Sequence, residues 1–349
     1  MRDLYLHVGP QKTGSTYLHR LFVVNAGLLA EAGLGFAPYY DPEIGDHQRD
    51  FIPALRARGM AAVMAETAAR PEPRLLVTDE DLAKFLLEPA GDGLTAHAFA
   101  AAARRHFRPR VVYFARRQDH LAESHFSQGV RTWYCGRAAD LPPQGYDHDG
   151  QLRALEEAFG FENVTVRLYH DDVPSDLAAA FFDAIGLEAV LPRLARPAGR
   201  LNASLDRRKA LLLAHLPKNR RRLRSMLNPP GLTETVLATV SRSRAVAEDG
   251  VRFSLSPEER RALVARHLQG NRALVARHRI ADPGGFVELP ALDPAWTPPA
   301  PIRNAELVAV YREVVAAIWA EHGPLAALDR IARLSGLFTR VAARARAAR

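Results

Sequence analysis

Apolar residues along this chain fall first into short β-rich runs and later into helical spacing. Leu4 to Val8, Leu75 to Thr78, Val111 to Ala115 and Val164 to Leu168 are too short for helices and rich in Val, Leu and aromatic residues. Such runs read as strands buried on both faces of a sheet. After the first of them the spacing turns helical, with Tyr17, Leu18, Leu21 and Phe22 on one side. Strands alternating with helices predict an α/β protein whose parallel strands are joined by right-handed crossovers. Its ligand is then expected at the carboxyl ends of the strands.

Farther along, Asp176 to Ile185 reads as a helix stopped by Gly186, and residues 201–280 read as mostly helical. Ser256-Pro257-Glu258-Glu259 has the form of a helix start: a capping hydroxyl, proline at the first position and glutamate three residues after the cap. Arg261–His267 recurs as Arg272–His278, eleven residues on. Eleven residues make about three turns, so both copies face the same way, which predicts helix packing rather than a repeated domain. Residues 282–301 are rich in proline and glycine and read as a linker or wrapping loop. Near the C-terminus Leu328, Ile331, Leu334, Phe338 and Val341 share a helical stripe, with Arg330, Arg333, Arg340 and Arg344 grouped on another side. Packing on the protein itself is the commoner fate of such a helix; peripheral contact with an anionic membrane is the alternative.

The 349 residues suffice for one large core, or a core with an appendage, and 48% hydrophobic with 25% charged residues suits a soluble globular protein. No apolar run approaches the ~20 residues of a membrane helix. The first strand begins so close to Met1 that neither signal peptide nor anchor is expected. A lone cysteine, Cys135, excludes an internal disulfide and suits a reducing, cytoplasmic location. It has no base or helix start beside it and is expected to be inert. A net charge of +8 and a pI near 9.9 raise nucleic acid as a partner. The positive charge is dispersed arginine interleaved with acids, however, so no nucleic-acid partner is expected. The densest run, Lys218 to Arg224, is either a solvated face or a docking surface for an anionic acceptor.

Two segments carry the chemistry. Directly after the first strand comes Gly9-Pro10-Gln11-Lys12-Thr13-Gly14-Ser15-Thr16, which makes a strand, glycine turn and helix start. Main-chain N–H groups and a helix N-terminus in such a unit face an anion. Lys12 is one of only four lysines among 47 basic residues, which argues against generic surface charge. A nucleoside-triphosphate loop carries its lysine directly after the last glycine, followed by a hydroxyl for magnesium. Here Lys12 precedes Gly14 by two residues, so that lysine–hydroxyl pair is missing. The second segment is the strand Arg110 to Ala115, which ends in Arg116 and is followed eight residues later by Ser124. Arginine suits phosphate because its planar fork grips two oxygens at once.

Together these segments resemble the cofactor motifs of sulfotransferases that use 3′-phosphoadenosine 5′-phosphosulfate (PAPS), in the P-K-T-G-[ST]-T form of the heparan-sulfate-type and bacterial branches. Phe126 and Gln128 continue the bacterial look. The motifs cover the first third of the chain. The resemblance implies a P-loop-like, doubly wound sheet in an α/β domain over residues 1–280, mainly helical from about 200. A linker at 281–302 and a helical extension at 303–349 complete the expected layout. It implies that Gln11, Lys12, Thr13, Gly14, Ser15 and Thr16 hold the 5′-phosphosulfate and that Arg116 and Ser124 hold the 3′-phosphate. Arg200 is a further candidate for that phosphate, although a helix-capping Asn202 explains its neighbourhood as well. The implied reaction is metal-independent, in-line transfer of a sulfuryl group from PAPS to an acceptor hydroxyl or amine, with a saccharide expected. Lys12 would stabilise the oxygen of the departing phosphate. The base is left open between Glu80, after the second strand, and His47, in the loop region after the first helix. A salt bridge accounts equally for Glu80 and a surface loop for His47; His7 is expected to be a core histidine. Tyr169 flanks the adenine or simply packs. Three rivals stand: a P-loop kinase or NTPase, since Leu75 to Glu80 resembles a Walker-B strand, a non-catalytic nucleotide or polyanion binder, and, least favoured, a nucleic-acid binder driven by its charge.

Overall fold

A computed structural model of the chain describes residues 1–38, 51–79, 82–87, 94–132, 138, 146–169, 176–197, 205–214, 232–251, 253–282, 284–322 and 339. Five strands, β1 (Arg2–Val8), β2 (Leu34–Phe36), β3 (Arg74–Thr78), β4 (Phe107–Arg116) and β5 (Val164–Tyr169), form one sheet in the order β2-β3-β1-β4-β5. Every pairing is parallel. Four strands lie on the four apolar runs, β4 reaching upstream to Phe107. The fifth, β2, was not expected from the sequence. It has three residues with glycine in the middle and pairs only with β3 at the sheet edge, so it leaves almost no hydrophobic pattern.

The chain forms two compact units. The first comprises Met1–Leu121, Pro143–Asn202 and Leu263–Pro290 and contains the whole sheet. Its helices are α1 (Ser15–Val24), α2 (Ala26–Glu31), α3 (Phe51–Arg58), α4 (Met60–Ala68), α5 (Leu82–Leu87), α6 (Ala96–Arg104), the start of α7 (Gln118–Thr132), α8 (His148–Phe159) and α9 (Leu177–Ala184). Alternate strand residues divide between the two faces, as the pleat requires. Leu4, Leu6, Val8, Val111, Tyr113 and Ala115 pack on one face with Phe51, Phe99, Leu155 and Phe159. Tyr5, Leu76, Val112 and Phe114 pack on the other with Leu18, Phe22, Phe181 and Phe182. Helices on both faces make the sheet doubly wound. Each of those fully buried phenylalanines contributes about 1.5–3 kcal/mol by leaving water.

The second unit comprises Ala122–Pro142, Ala203–Ala262 and Ala291–Arg349. Its helices after α7 are α10 (Arg207–Ala214), α11 (Leu232–Arg242), the start of α12 (Pro257–His278) and α13 (Asn304–His322). Three consecutive bases at the start of α10 are buried, and each has an acid: Arg207 with Asp249 at 2.7 Å, Arg208 with Glu306 at 2.9 Å and Lys209 with Glu248 at 2.7 Å. At the start of α12 the Ser256 hydroxyl accepts from the Glu259 N–H (3.1 Å) and the Glu259 carboxylate accepts from the Ser256 N–H (2.8 Å). That is the reciprocal capping predicted from the sequence. Both copies of the eleven-residue repeat lie within α12. Among the described residues no helix is long and apolar enough to cross a membrane. Cys135, the basic run from Lys218 and the stripe from Leu328 to Val341 lie outside the described residues.

Candidate functional site

The glycine–lysine loop starts where β1 ends. Val8 is in register with Tyr113 of β4, and His7 with Thr78 of β3, so the loop rises from the middle of the sheet. From β1 the chain moves to the β3–β2 side, whereas from β4 it moves to β5. Strand order therefore reverses between β1 and β4, which is where open α/β sheets bind ligands. A side chain at Gly9 would bring its Cβ to 3.3 Å from the Phe114 carbonyl oxygen, so glycine lets the loop lie against β4. Thr13 is buried, and its hydroxyl donates to the Pro10 carbonyl at 3.0 Å. Gly14, at φ 86°, ends the loop, and its carbonyl accepts from the N–H groups of Tyr17 and Leu18 to start α1. The first turn of α1 carries no acid. Its N–H groups and the positive end of its dipole are thus unopposed by a carboxylate on that turn. Lys12 itself sits at φ 74°, a left-handed conformation that a side chain disfavours.

Arg116 closes the other side. It is the last residue of β4, and its Nη1 donates to the carbonyl oxygen of Lys12 at 2.6 Å. Its guanidinium lies 5.1 Å from the ring centroid of Tyr169, the last residue of β5, so arginine and ring share a cation–π contact. Only 8% of Arg116 is exposed. Its carbonyl oxygen lies 2.8 Å from Nε2 of His148, and the His148 Nδ1 is 2.8 Å from the Tyr113 hydroxyl. Burial pushes His148 down to about 4, against the opposing hydrogen bond to Arg116, and burial holds the proton on Tyr113 well beyond the usual phenol range. His148 is therefore neutral at ordinary pH. The neighbouring Arg117 has a different role: it pairs with the buried Asp119 at 2.8 Å and donates to the Gly285 carbonyl at 3.2 Å. Of the two adjacent arginines, only Arg116 is tied to the loop by these contacts.

Beneath the loop, the Thr78 hydroxyl stands between two buried histidines, 2.9 Å from Nδ1 of His7 and 2.6 Å from Nε2 of His19. These contacts tie together β1, β3 and α1. Burial, and secondarily the charge His19 would carry, depress His7 to about 3, so it is the neutral core histidine expected from the sequence. Beside the first turn of α1, Arg196 donates to the Tyr17 hydroxyl (3.1 Å) and to both carboxylate oxygens of Asp176 (2.8 and 2.6 Å). Asp176 also caps α9.

The structure thus brings Lys12 and its loop, Gln11 to Thr16, together with Arg116. Ser124 lies in α7, half-buried, in a stretch that belongs to the second unit. Glu80, His47 and Arg200 lie outside the described residues. Reading the sequence missed His148, Tyr113 and the Arg196–Asp176–Tyr17 group. Tyr113 carried a signal, since a tyrosine at an inward strand position needs a partner for its hydroxyl, but nothing near it in the chain named that partner.

Among solved structures, the chain is similar to a sulfotransferase from Alicyclobacillus acidocaldarius, at 13% identity across 81% of this chain and 98% of that chain, with a TM-score of 0.41. No family model matches the chain, and no curated protein matches it.

Proposed function

We propose that this protein is a PAPS-dependent sulfotransferase acting on an acceptor hydroxyl or amine, with a saccharide as the expected acceptor. The observation that carries this reading is the direct bond between the Arg116 guanidinium and the Lys12 carbonyl. It joins an arginine at one strand end to a glycine loop whose lysine is placed wrongly for ATP with magnesium. The donor set fits a ligand with two separate anionic groups. A lysine ammonium and a helix start without acids suit the 5′ end, and a planar arginine fork suits the 3′-phosphate.

PAPS supplies the sulfuryl group, which leaves its 5′-phosphate oxygen as the acceptor oxygen or nitrogen bonds to sulfur. Lys12 and the main-chain N–H groups from Thr13 to Thr16 stabilise the charge that grows on the departing phosphate. Arg116 holds the 3′-phosphate and so orients the sulfur for in-line attack. Glu80 or His47 takes the acceptor proton; a carboxylate or imidazole suits that role near neutral pH.

The reading is tested by thermal stabilisation of the full chain. Adenosine 3′,5′-bisphosphate is expected to raise the melting temperature, with about 2.7 kcal/mol of added stability at a hundredfold excess over its Kd. ATP with magnesium and a DNA oligomer are expected to leave it unchanged. A shift with ATP and magnesium but none with the bisphosphate overturns the reading in favour of a nucleoside-triphosphate enzyme. Transfer of labelled sulfate from PAPS to a panel of saccharides then reports the acceptor class.

A further inference from the structure

We propose that His148, held in place by Tyr113, is a positioning residue of the nucleotide site, fixing the main chain at Arg116 and through it the guanidinium that spans to the lysine loop. The inference rests on the reading of Arg116 as the 3′-phosphate ligand. The ladder between β1 and β4 ends at Val8 and Tyr113, while β4 runs on to Arg116. Over those last residues the strand is registered only with β5, through Arg116 and Tyr169. At this one-sided end the carbonyl of Arg116 takes its hydrogen bond from an imidazole on another element.

The chemistry of the ring fixes its orientation. A carbonyl can only accept, so the hydrogen of the neutral imidazole must sit on Nε2, facing Arg116. Nδ1 then carries the lone pair and lies 2.8 Å from the Tyr113 hydroxyl, whose one proton is shared between Nδ1 and Gln151 Oε1 at 2.6 Å. The Arg116 carbonyl sets the tautomer, and Tyr113, packed edge-on against the ring at 6.0 Å, helps hold its orientation. His148 is 1% exposed, its ring is tilted against Phe286 at 5.9 Å, and it is the first residue of α8. The Asp147 side chain caps that helix by accepting from the Gly150 N–H at 3.0 Å. The ring thus stands on a helix start and is packed on one side by an aromatic. It holds a main-chain atom whose own side chain holds Lys12. A displaced Arg116 carbonyl moves the guanidinium and, through the 2.6 Å bond to the Lys12 carbonyl, the loop.

The test measures affinity of the full chain for adenosine 3′,5′-bisphosphate and for adenosine 5′-monophosphate, which lacks the 3′-phosphate. Arg116→Ala is expected to weaken the bisphosphate about tenfold or more, the worth of one charge-assisted hydrogen bond, while the monophosphate changes little. His148→Ala is expected to lose most of the same ratio between the two ligands. His148→Gln places an amide nitrogen near the position of Nε2 and is expected to restore it; His148→Asn is too short to reach and is expected to lose it. If His148→Ala weakens both ligands equally, the residue is merely structural and the inference falls. It falls also if the ratio survives His148→Ala but collapses in Arg116→Ala, an outcome that leaves the site reading intact. A ratio unmoved by Arg116→Ala overturns the role of Arg116 itself, and the inference with it. Should His148→Ala not fold, the Gln and Asn variants decide: equal ratios in the two refute the positioning role.

Discussion

The Arg116 guanidinium donates to the main-chain oxygen of Lys12 across 2.6 Å, and the residue accepting that bond sits at φ 74°. An arginine at the end of β4 therefore grips the point in the loop where the backbone is least comfortable. Left-handed conformations at residues other than glycine cost on the order of 1–3 kcal/mol and persist only where the surroundings impose them. Here the surroundings include the Arg116 bond, the Thr13 hydroxyl on Pro10 and the start of α1 at Gly14. Keeping a side chain at position 12 despite the strain is understandable if its ammonium has work to do.

Replacements at that position should therefore invert the usual order of glycine and alanine. In ordinary helix or strand interiors, glycine is less stable than alanine by roughly 0.5–1 kcal/mol. At φ 74° the Cβ is the liability, so Lys12→Gly is expected to be more stable than Lys12→Ala by about 1 kcal/mol. Both variants lose the ammonium, and transfer from PAPS is expected to slow by about 10²–10³-fold in each. Denaturant unfolding compared with initial rates checks the pair. If Lys12→Ala proves the more stable of the two, the left-handed loop is refuted.

Gly14 offers the opposite substitution. An added Cβ there would overlap Leu177 Cδ2 and come within 3.2 Å of Tyr169 Cε2, at φ 86°. Gly14→Ala combines backbone strain with a clash against α9 and is expected to cost about 2–4 kcal/mol. Because Tyr169 also lies under Arg116, bisphosphate affinity should drop as well. The companion variant Gly14→Ala/Leu177→Ala removes the Leu177 overlap but neither the strain nor the close approach to Tyr169. Its loss of stability should be smaller than the sum of the two single losses, while affinity stays low, as read by melting temperature and calorimetry; strictly additive losses would contradict the packing described.

Much of this arrangement was legible in the sequence, for reasons that differ from element to element. β1, β3, β4 and β5 announce themselves because strands covered on both faces must be apolar almost throughout. β2 does not, because three edge residues around Gly35 need only a backbone to pair. The nearness of the lysine loop to Arg116 follows from two short apolar runs, each ending in a polar motif, being placed in one parallel sheet. The His148–Tyr113 contact was illegible: the partners are 35 residues apart and meet only because the crossover returns α8 beside β4. Arg117 shows the reverse error of scale. Beside Arg116 it reads as part of a basic pair, yet Asp119, two residues on, neutralises it.

Stability should fall on the acid side of neutrality because of the two buried histidines. His148 is depressed to about 4 and His7 to about 3, each from an ordinary value near 6.5, chiefly by burial. As pH falls below 6.5 the unfolded chain takes up these protons while the folded chain refuses them. The stability contributed by the neutral rings is complete above 6.5 and is lost down to the folded values. Each histidine adds a slope of about 1.4 kcal/mol per pH unit within its window. His148→Gln removes one titrating ring, so urea midpoints measured between pH 7.5 and 4.5 should decline less steeply than in the unaltered protein. Parallel declines would show that His148 takes up its proton without unfolding.

In the second unit the sign reverses. Glu123 on α7 is pushed up to about 7 from an ordinary value of 4.5 by burial, against opposing hydrogen bonds from the main chain at Leu255 and Ser254. Its Oε1 accepts from the Leu255 N–H at 2.6 Å. The folded state holds the proton that the unfolded state releases, so stability falls as pH rises from 4.5 through 7 and levels off above. Glu123→Gln keeps an oxygen for the Leu255 N–H and removes the ionisation. The substitution should therefore be nearly neutral at pH 4.5 and stabilising at pH 8, read as a melting-temperature difference that opens between those limits. A gain of the same size at both pH values would mean that the benefit comes from packing, and that Glu123 titrates alike in the folded and unfolded chain.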